Sequence, residues 1–308
     1  MTAFTVVMAA YDTHQTVGSA IRSVIAQTRD DWELFVVDDG SSDGTCDVVE
    51  SFTDPRVRLL RRSHGGAAAA RAAGIAAGAA PLVSLIDSDD LWMPGYLDAM
   101  GSALDADPEA SFAYTDAWYL DERTRRIRRD SAMAYQRPPE VAPAKLFDAL
   151  LERNFVYNAV TLRRTAIDAV GPPDERLRAS IDWEWWLRLA AHGHRAVRVP
   201  GRLAVYRPRP RSIISDAPRV FAGQRDMLRI AADEYPGLSE ARRAALHARA
   251  ARLDAARAAA EGSRPFAGAL ARARHLAATT RTRLLHRRRY HREPPPEVRA
   301  AFGDLRDV

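Results

Sequence analysis

The chain has 308 residues, 47% of them apolar, which suits one large α/β domain with an appendage or two modest domains and excludes wholesale disorder. Cys46 is the sole cysteine and Lys145 the sole lysine, so an intrachain disulfide is excluded and nearly all positive charge is arginine. The net charge of +5 hides an asymmetry: 19 arginines against ten acids from Ala217 onward make that segment +9 and the preceding body −4.

The opening, MTAFTVVMAAYD, lacks a basic n-region and reaches Tyr11 and Asp12 too early for a signal peptide. No apolar run attains the roughly 18 residues of a spanning helix, so a cytoplasmic protein is expected. FTVVMAA (Phe4–Ala10) reads as a strand buried on both faces. Val17, Ile21, Val24 and Ile25 then recur at helical spacing, with Asp12 or Thr13 placed to cap that helix. WELFVV (Trp32–Val37) is a second strand, and DDGSSDGT is turn chemistry leading into a helix over Cys46–Phe52. VRLL (Val57–Leu60) is a third strand. Gly65-Gly66 opens an alanine-rich helix to about Gly78, and PLVSLI (Pro81–Ile86) is a fourth strand.

Strands alternating with helices predict βαβ units and a parallel sheet, in which ligands bind beyond the carboxyl ends of the strands. Tyr11–Asp12, Asp38–Asp39 and Asp87–Asp90 all fall at such ends, so one crevice is expected to collect them. Further on, SFAYTDAWYL and NAVTLRR (Asn158–Arg164) read as strands, and DWEWWLRLAAHG as a helix capped by Asp182 and ending at Gly193. From Ala217 the chain reads as helical, with breaks at Pro236-Gly237, Gly262–Pro265 and Pro294–Pro296, and no internal repeat is found.

The stretch LIDSDDLWMPG crowds Asp87, Asp89 and Asp90 at the end of the fourth strand. Such carboxylates suit a hard divalent cation, Mg2+ or Mn2+, which would offset their repulsion; the alternative is a capped turn. Leu91, Trp92 and Met93 are expected to anchor that turn in the core. Asp38-Asp39 before Gly40 reads either as a turn or as an acceptor for a nucleotide base N–H. Tyr11 reads as a base-stacking ring or a sheet-edge tyrosine. Arg71, alone in an apolar helix, either snorkels to solvent or faces a phosphate in the crevice.

VVMAAYDTHQTVGSAIRSVIAQTRDDWELFVVDDGSSDGT, ARAAGIAAG, LVSLIDSDDLWMPGYL, SIDWEWWLRLAAHG and LAVYRPRPRSIIS together resemble the inverting family 2 glycosyltransferases, over about Phe4–Ser215. The resemblance implies the Rossmann-like α/β glycosyltransferase A fold over residues 1–216. Residues 1–110 would form the nucleotide-sugar-binding half and 111–216 the acceptor-binding half, followed by a basic, mainly helical region over 217–308. It implies metal-dependent transfer of a sugar from a nucleoside diphosphate, uridine favoured, to a hydroxyl of a glycan or lipid-linked acceptor. By the same resemblance Ala10, Tyr11, Asp12, Asp38, Asp39, Arg71, Asp87, Ser88 and Asp89 line the donor site. Asp89, with Asp87 and Asp90, holds the metal, and Asp182 is the catalytic base. Glu184 is the second candidate for that role, or simply an acid favoured near a helix N-terminus. Arg209 stands where the family often has histidine and is read as a diphosphate contact. Ala9, Asp12 and Ala72 also depart from the pattern. Of Trp183, Trp185 and Trp186, one is expected beside the acceptor, with Trp185 named, and two in the core.

Thr280–Arg292, which mixes arginines with Leu284, Leu285 and Tyr290, reads either as an anchor to anionic lipid at the inner face of the cell membrane or as a solvated or oligomer-forming face. No nucleic-acid recognition motif accompanies it. Other chemistries that use strand-end aspartates fit less well. Phosphatases and receivers need a nearby lysine, and nucleotidyltransferases need a glycine-rich loop where AAYDTH stands. The alternative of another class is a non-catalytic nucleotide-sugar-binding scaffold that works through its helical tail.

Overall fold

The computed structural model describes residues 2–121, 124–131, 141–208, 217–262, 291 and 293–302. Four strands, β1 (Phe4–Ala10), β2 (Trp32–Asp38), β3 (Val57–Arg61) and β4 (Leu82–Asp87), lie parallel in the order β3-β2-β1-β4. Helices α1 (Val17–Ile25), α2 (Thr45–Glu50) and α3 (Ala67–Ala77) make the crossovers, as the alternation predicts. Side chains divide by parity: Val6 and Met8 join the cluster containing α1, whereas Val7 joins Val83, Leu85 and Ile75 on the opposite face. Neither Asp12 nor Thr13 caps α1, because the helix starts at Val17 and Thr16 stands at its cap without a side-chain bond. The Thr13 carbonyl instead accepts the amides of Thr16 and Val17.

The alanines of α3 let it lie close to β1. A Cβ on Gly74 would come within 2.5 Å of Val7, and one on Gly78 within 2.2 Å of Thr5, so only glycine fits there. This approach sets the depth of Arg71 in the crevice.

The chain then forms β5 (Leu91–Trp92), α4 (Tyr96–Ala106), β6 (Ala110–Asp121) and β7 (Arg126–Ser131). After it come α5 (Leu146–Glu152), β8 (Val160–Arg163), α6 (Arg164–Val170), α7 (Ile181–Ala191) and β9 (Arg195–Tyr206). Strand β8 inserts antiparallel between β4 and β6, β9 runs parallel to β6, and β5 pairs antiparallel with β9, so one mixed nine-stranded sheet crosses the molecule. Asp182 is the second residue of α7, not its cap; that place belongs to Ser180, at a left-handed φ of 57°. The sequence reading names no element over Arg195–Tyr206, which Pro200-Gly201 interrupts. In the structure those residues are accommodated by a register shift against β6, with Gly201 at φ 101°.

Helices α8 (Ala217–Glu234) and α9 (Glu240–Gly262) pair antiparallel across Pro236-Gly237, tied by Arg225 and Arg229 to Asp254. Met227, Leu228, Ala231 and Ala232 of α8 pack into the cluster that holds Trp183, Trp185 and Trp186. A last helix, α10 (Pro296–Phe302), returns to the sheet, where Val298 packs with Leu91, Met93, Trp118 and Ile127.

Candidate functional site

The carboxyl ends of β1, β2 and β4 lie side by side at one edge of the sheet, with Ala10 opposite Asp38 and Ala9 opposite Asp87. At its centre is the turn after β4, held from behind by Leu91 and Trp92, which are fully buried, and by Met93. Ser88 and Asp90 of this turn are also buried. Asp87, Asp89 and Asp90 offer oxygens within 4.8 Å of one another, an all-oxygen set that fits Mg2+ or Mn2+. Asp90 is also a framing residue: its Oδ1 accepts the Arg207 amide at 2.9 Å and its Oδ2 accepts the Tyr157 hydroxyl. Burial pushes the Asp90 carboxyl well above the usual carboxylate range, and the nearby charges of Asp89 and Asp87 add to the effect.

Arg207 is 1% exposed. Its Nε donates to the Asp89 carbonyl, Nη1 to Ser19 Oγ at 2.8 Å and Nη2 to the Thr16 carbonyl at 3.3 Å. A buried guanidinium thus stitches the acidic turn to α1. Tyr157 and Asn158 carry no spacing signature and sequence reasoning missed both; Arg207 lies within LAVYRPRPRSIIS, but no role was read for it there.

Arg71 does not snorkel to solvent but turns to the acids at the end of β4. Its Nη2 donates to Asp87 Oδ1 at 2.7 Å, and Asn158 Nδ2 donates to the same oxygen at 2.9 Å. Burial alone would lower the Arg71 pKa, but Asp87, Asp182 and Asp89 together raise it. Asp182 is half-buried and accepts Asn154 Nδ2 at 3.1 Å. Burial raises its carboxyl above the ordinary range, while Arg71 pulls it back down. A carboxylate tuned upward beside a fixed cation is chemically a proton acceptor near a site for negative charge. Asn154 is another residue the sequence did not reveal.

The side of the site next to β3 is built by the β1 and β2 ends. The Ala10 carbonyl accepts the Asp39 amide, and Asp12, at a left-handed φ of 48°, accepts the Ser42 amide at 2.9 Å. Asp38 accepts the amides of Gly40 and Ser41, which supports the turn. Asp39 is 2% exposed and holds the next loop: Oδ1 accepts Arg62 and the Gly65 amide, and Oδ2 accepts the Gly66 amide at 2.7 Å. His64 Nδ1 lies 3.0 Å from Oδ2. Both oxygens of Asp39 are therefore committed within the protein, which argues against the simple picture of Asp39 offered to a base. Tyr11 is 46% exposed, and its ring lies 4.4 Å from that of His64 at a 39° tilt, so a flat aromatic surface does face the opening.

Two expectations are corrected. Glu184 is fully buried on the other side of α7, against Tyr235 and Arg188, and does not face the crevice. Trp185 is 1% exposed, with its ring N–H donated to the Gly171 carbonyl. Trp183 and Trp186 are buried as well, so none of the three is an acceptor platform. Charged and aromatic residues at the start of a helix carry no marker of which face they occupy. Arg209 and all of Thr280–Arg292 except His291 lie outside the described residues. Among the described residues no helix is long and apolar enough to cross a membrane.

Comparison with known proteins supplies the context for this geometry. The family described as Glycosyl transferase family 2 matches residues 5–170. The succinoglycan biosynthesis protein ExoO of Rhizobium meliloti is 33% identical over 215 residues, 68% of this chain and 62% of that protein. The Escherichia coli enzyme WfgD, a UDP-Glc:alpha-D-GlcNAc-diphosphoundecaprenol beta-1,3-glucosyltransferase, is 37% identical over 94 residues, 30% of this chain and 37% of its own length. The chain thus spans less than two thirds of either relative. In fold, it aligns with S. aureus TarS 1-349 in complex with UDP-GlcNAc at a TM-score of 0.62 and 17% identity, over 81% of this chain and 72% of that one.

Proposed function

The chain belongs to glycosyl transferase family 2, and from that premise we propose that it is a cation-assisted enzyme moving a sugar from a nucleoside diphosphate to an acceptor hydroxyl with inversion. The observation that carries the reading is Arg71, bonded to Asp87 and influenced by both Asp182 and Asp89, so that one cation serves the donor-side acids and the proton acceptor together.

Asp182 takes the proton of the attacking hydroxyl as its oxygen bonds to the anomeric carbon. The carbon–oxygen bond to the diphosphate breaks on the opposite face, and its electron pair leaves with the diphosphate. Arg71 sets positive charge where negative charge develops, an effect largest in a water-poor site. Asn154 orients the Asp182 carboxylate. Asp89 and Asp87 would hold Mg2+ or Mn2+, which when bound supplies Lewis-acid neutralisation of the diphosphate. Tyr11 stacks on the base, with Ala10, Asp12, Asp38 and Asp39 shaping the floor of that pocket. A uridine donor is supported by the UDP-sugars in the names of WfgD and of the TarS complex, and a lipid-linked acceptor by the diphosphoundecaprenol in the name of WfgD. Work on such an acceptor would set the protein at the inner membrane surface.

The test is a donor panel of UDP-, dTDP- and GDP-sugars with a Mn2+ titration, scored by nucleotide release and by the anomeric configuration of the product. Asp182→Asn is expected to cut turnover by about 10²–10⁴-fold with UDP affinity kept. Unchanged turnover would remove Asp182 from its role. Binding of UDP without turnover of any donor would favour the non-catalytic scaffold.

A further inference from the structure

The buried polar group of Glu184, Arg188 and Tyr235 takes no part in the mechanism above. The Tyr235 hydroxyl, at the end of α8, lies 2.9 Å from Glu184 Oε1 and 3.0 Å from the Glu184 carbonyl. Arg188 Nε stands 3.0 Å from the same carboxylate. Glu184 and Tyr235 are 0% and 1% exposed. A buried carboxylate raised by desolvation is costly to keep, and replacing it with an apolar residue would often be neutral or stabilising.

Its position explains its presence. Glu184 lies two residues beyond Asp182, and α8 also grips the chain just before Asp182. Glu234 pairs with Arg176 at 2.6 Å. Arg219 Nε donates to the Arg178 carbonyl at 3.3 Å. Gly223 approaches Ala179 so closely that a Cβ would fall 2.6 Å from the Ala179 oxygen. On the other side Leu177 and Ile181 pack against Ala68 of α3, the helix that carries Arg71, with Ile230 of α8 against the same group. The segment between these holds includes Ser180, at φ 57°, a conformation that non-glycine residues keep only when their surroundings impose it.

We propose that helix α8 is the positioning element for the general base: Gly223 and Tyr235 fix the chain on either side of Asp182 and hold its carboxylate in register with Arg71. The C-terminal helices thereby belong to the catalytic unit. This rests on Asp182 being the base, and the experiment separates the two ideas.

Tyr235→Phe keeps the ring and removes only the hydroxyl. It is expected to lower kcat about tenfold or more, as small misplacements of a catalytic group do, with donor KM and UDP affinity unchanged. Gly223→Ala is expected to act in the same direction and more strongly. The deciding measurement is a double-mutant cycle under single-turnover conditions: in an Asp182→Asn background the Tyr235→Phe loss is expected to vanish, since nothing remains to position. An equal loss in both backgrounds, or a parallel loss of UDP affinity, would overturn the proposal and make Tyr235 a general stability residue. Full turnover in Asp182→Asn alone would instead overturn the base assignment.

Discussion

Arg71 and Asp87 are joined Nη2 to Oδ1 at 2.7 Å, a bond that ties the crossover helix to the end of the central strand. The same guanidinium lowers the pKa of Asp182, whose carboxyl burial otherwise raises. One side chain therefore both neutralises the strand-end acid Asp87 and tunes the proton affinity of Asp182.

The pH consequence has a definite sign. A base must be ionised, so kcat/KM falls as pH drops through the Asp182 pKa, and that limb is expected above the ordinary carboxylate range. Arg71→Met removes the charge that holds the pKa down, so the limb should move to still higher pH, with turnover lower by about 10²-fold at its plateau. Arg71→Lys should return part of the limb shift. A limb that stays in place in Arg71→Met would uncouple the two residues.

Asp90 provides a stability test. Its folded pKa lies above the unfolded value, so its contribution is fully present below the unfolded pKa and is lost as pH rises through the folded one. Asn at this position can still accept the Arg207 amide and donate to Tyr157. With chelator present, Asp90→Asn should therefore melt higher than wild type at pH 7, by about 2–4 °C for each kcal/mol recovered. The difference should vanish near pH 4. An equal gap at both pH values would show that crowded charge is not its origin.

Tyr11 is the exposed aromatic just after β1, and on the proposed function it stacks on the donor base. Tyr11→Ala should weaken UDP binding by about 1–3 kcal/mol, the usual worth of one base stacked on a ring, and Tyr11→Phe should retain it. Calorimetry with UDP reads this directly, and wild-type affinity in Tyr11→Ala would place the base elsewhere.

Arg207→Met removes the guanidinium donor from Ser19, the Asp89 carbonyl and the Thr16 carbonyl, the last of which keeps the amides of Ser19 and Ala20. Denaturant unfolding should show a loss of roughly 1.5–3 kcal/mol, as for hydrogen bonds made by a charged group. Lysine should not restore it, since a point charge cannot make three divergent hydrogen bonds from a fixed plane. A loss below about 1 kcal/mol would mean that these bonds contribute little net stability.

The donor side was legible because its signals are local. Phe4–Ala10 and Trp32–Val37 are continuous apolar runs, and a strand buried on both faces can hardly be read otherwise. The acids follow such runs directly, so their meeting at one sheet edge follows from topology. Strand β9 was not legible, because Pro200 and Gly201 interrupt it and its pairing with β6 shifts register around them. Trp185 and Glu184 were misjudged because facing depends on α8, which packs from more than 40 residues away in sequence. Asn154, Tyr157, Asn158 and Arg207 act through bonds to residues far away in the chain, and a lone polar residue announces nothing.

The Arg207–Ser19 bond spans 188 residues of chain. A polypeptide emerging from the ribosome can complete its first four parallel strands from nearby segments, yet the guanidinium tie between helix α1 and the turn that carries Asp87, Asp89 and Asp90 waits until residue 207 arrives. At roughly 5–20 residues per second, that is a delay of many seconds after Ser19 appears. Contacts of such sequence separation also slow the closing step of folding. The nascent chain therefore carries the parallel half of the sheet before it carries a finished acidic centre, and assembly of the site is ordered in time by the direction of synthesis.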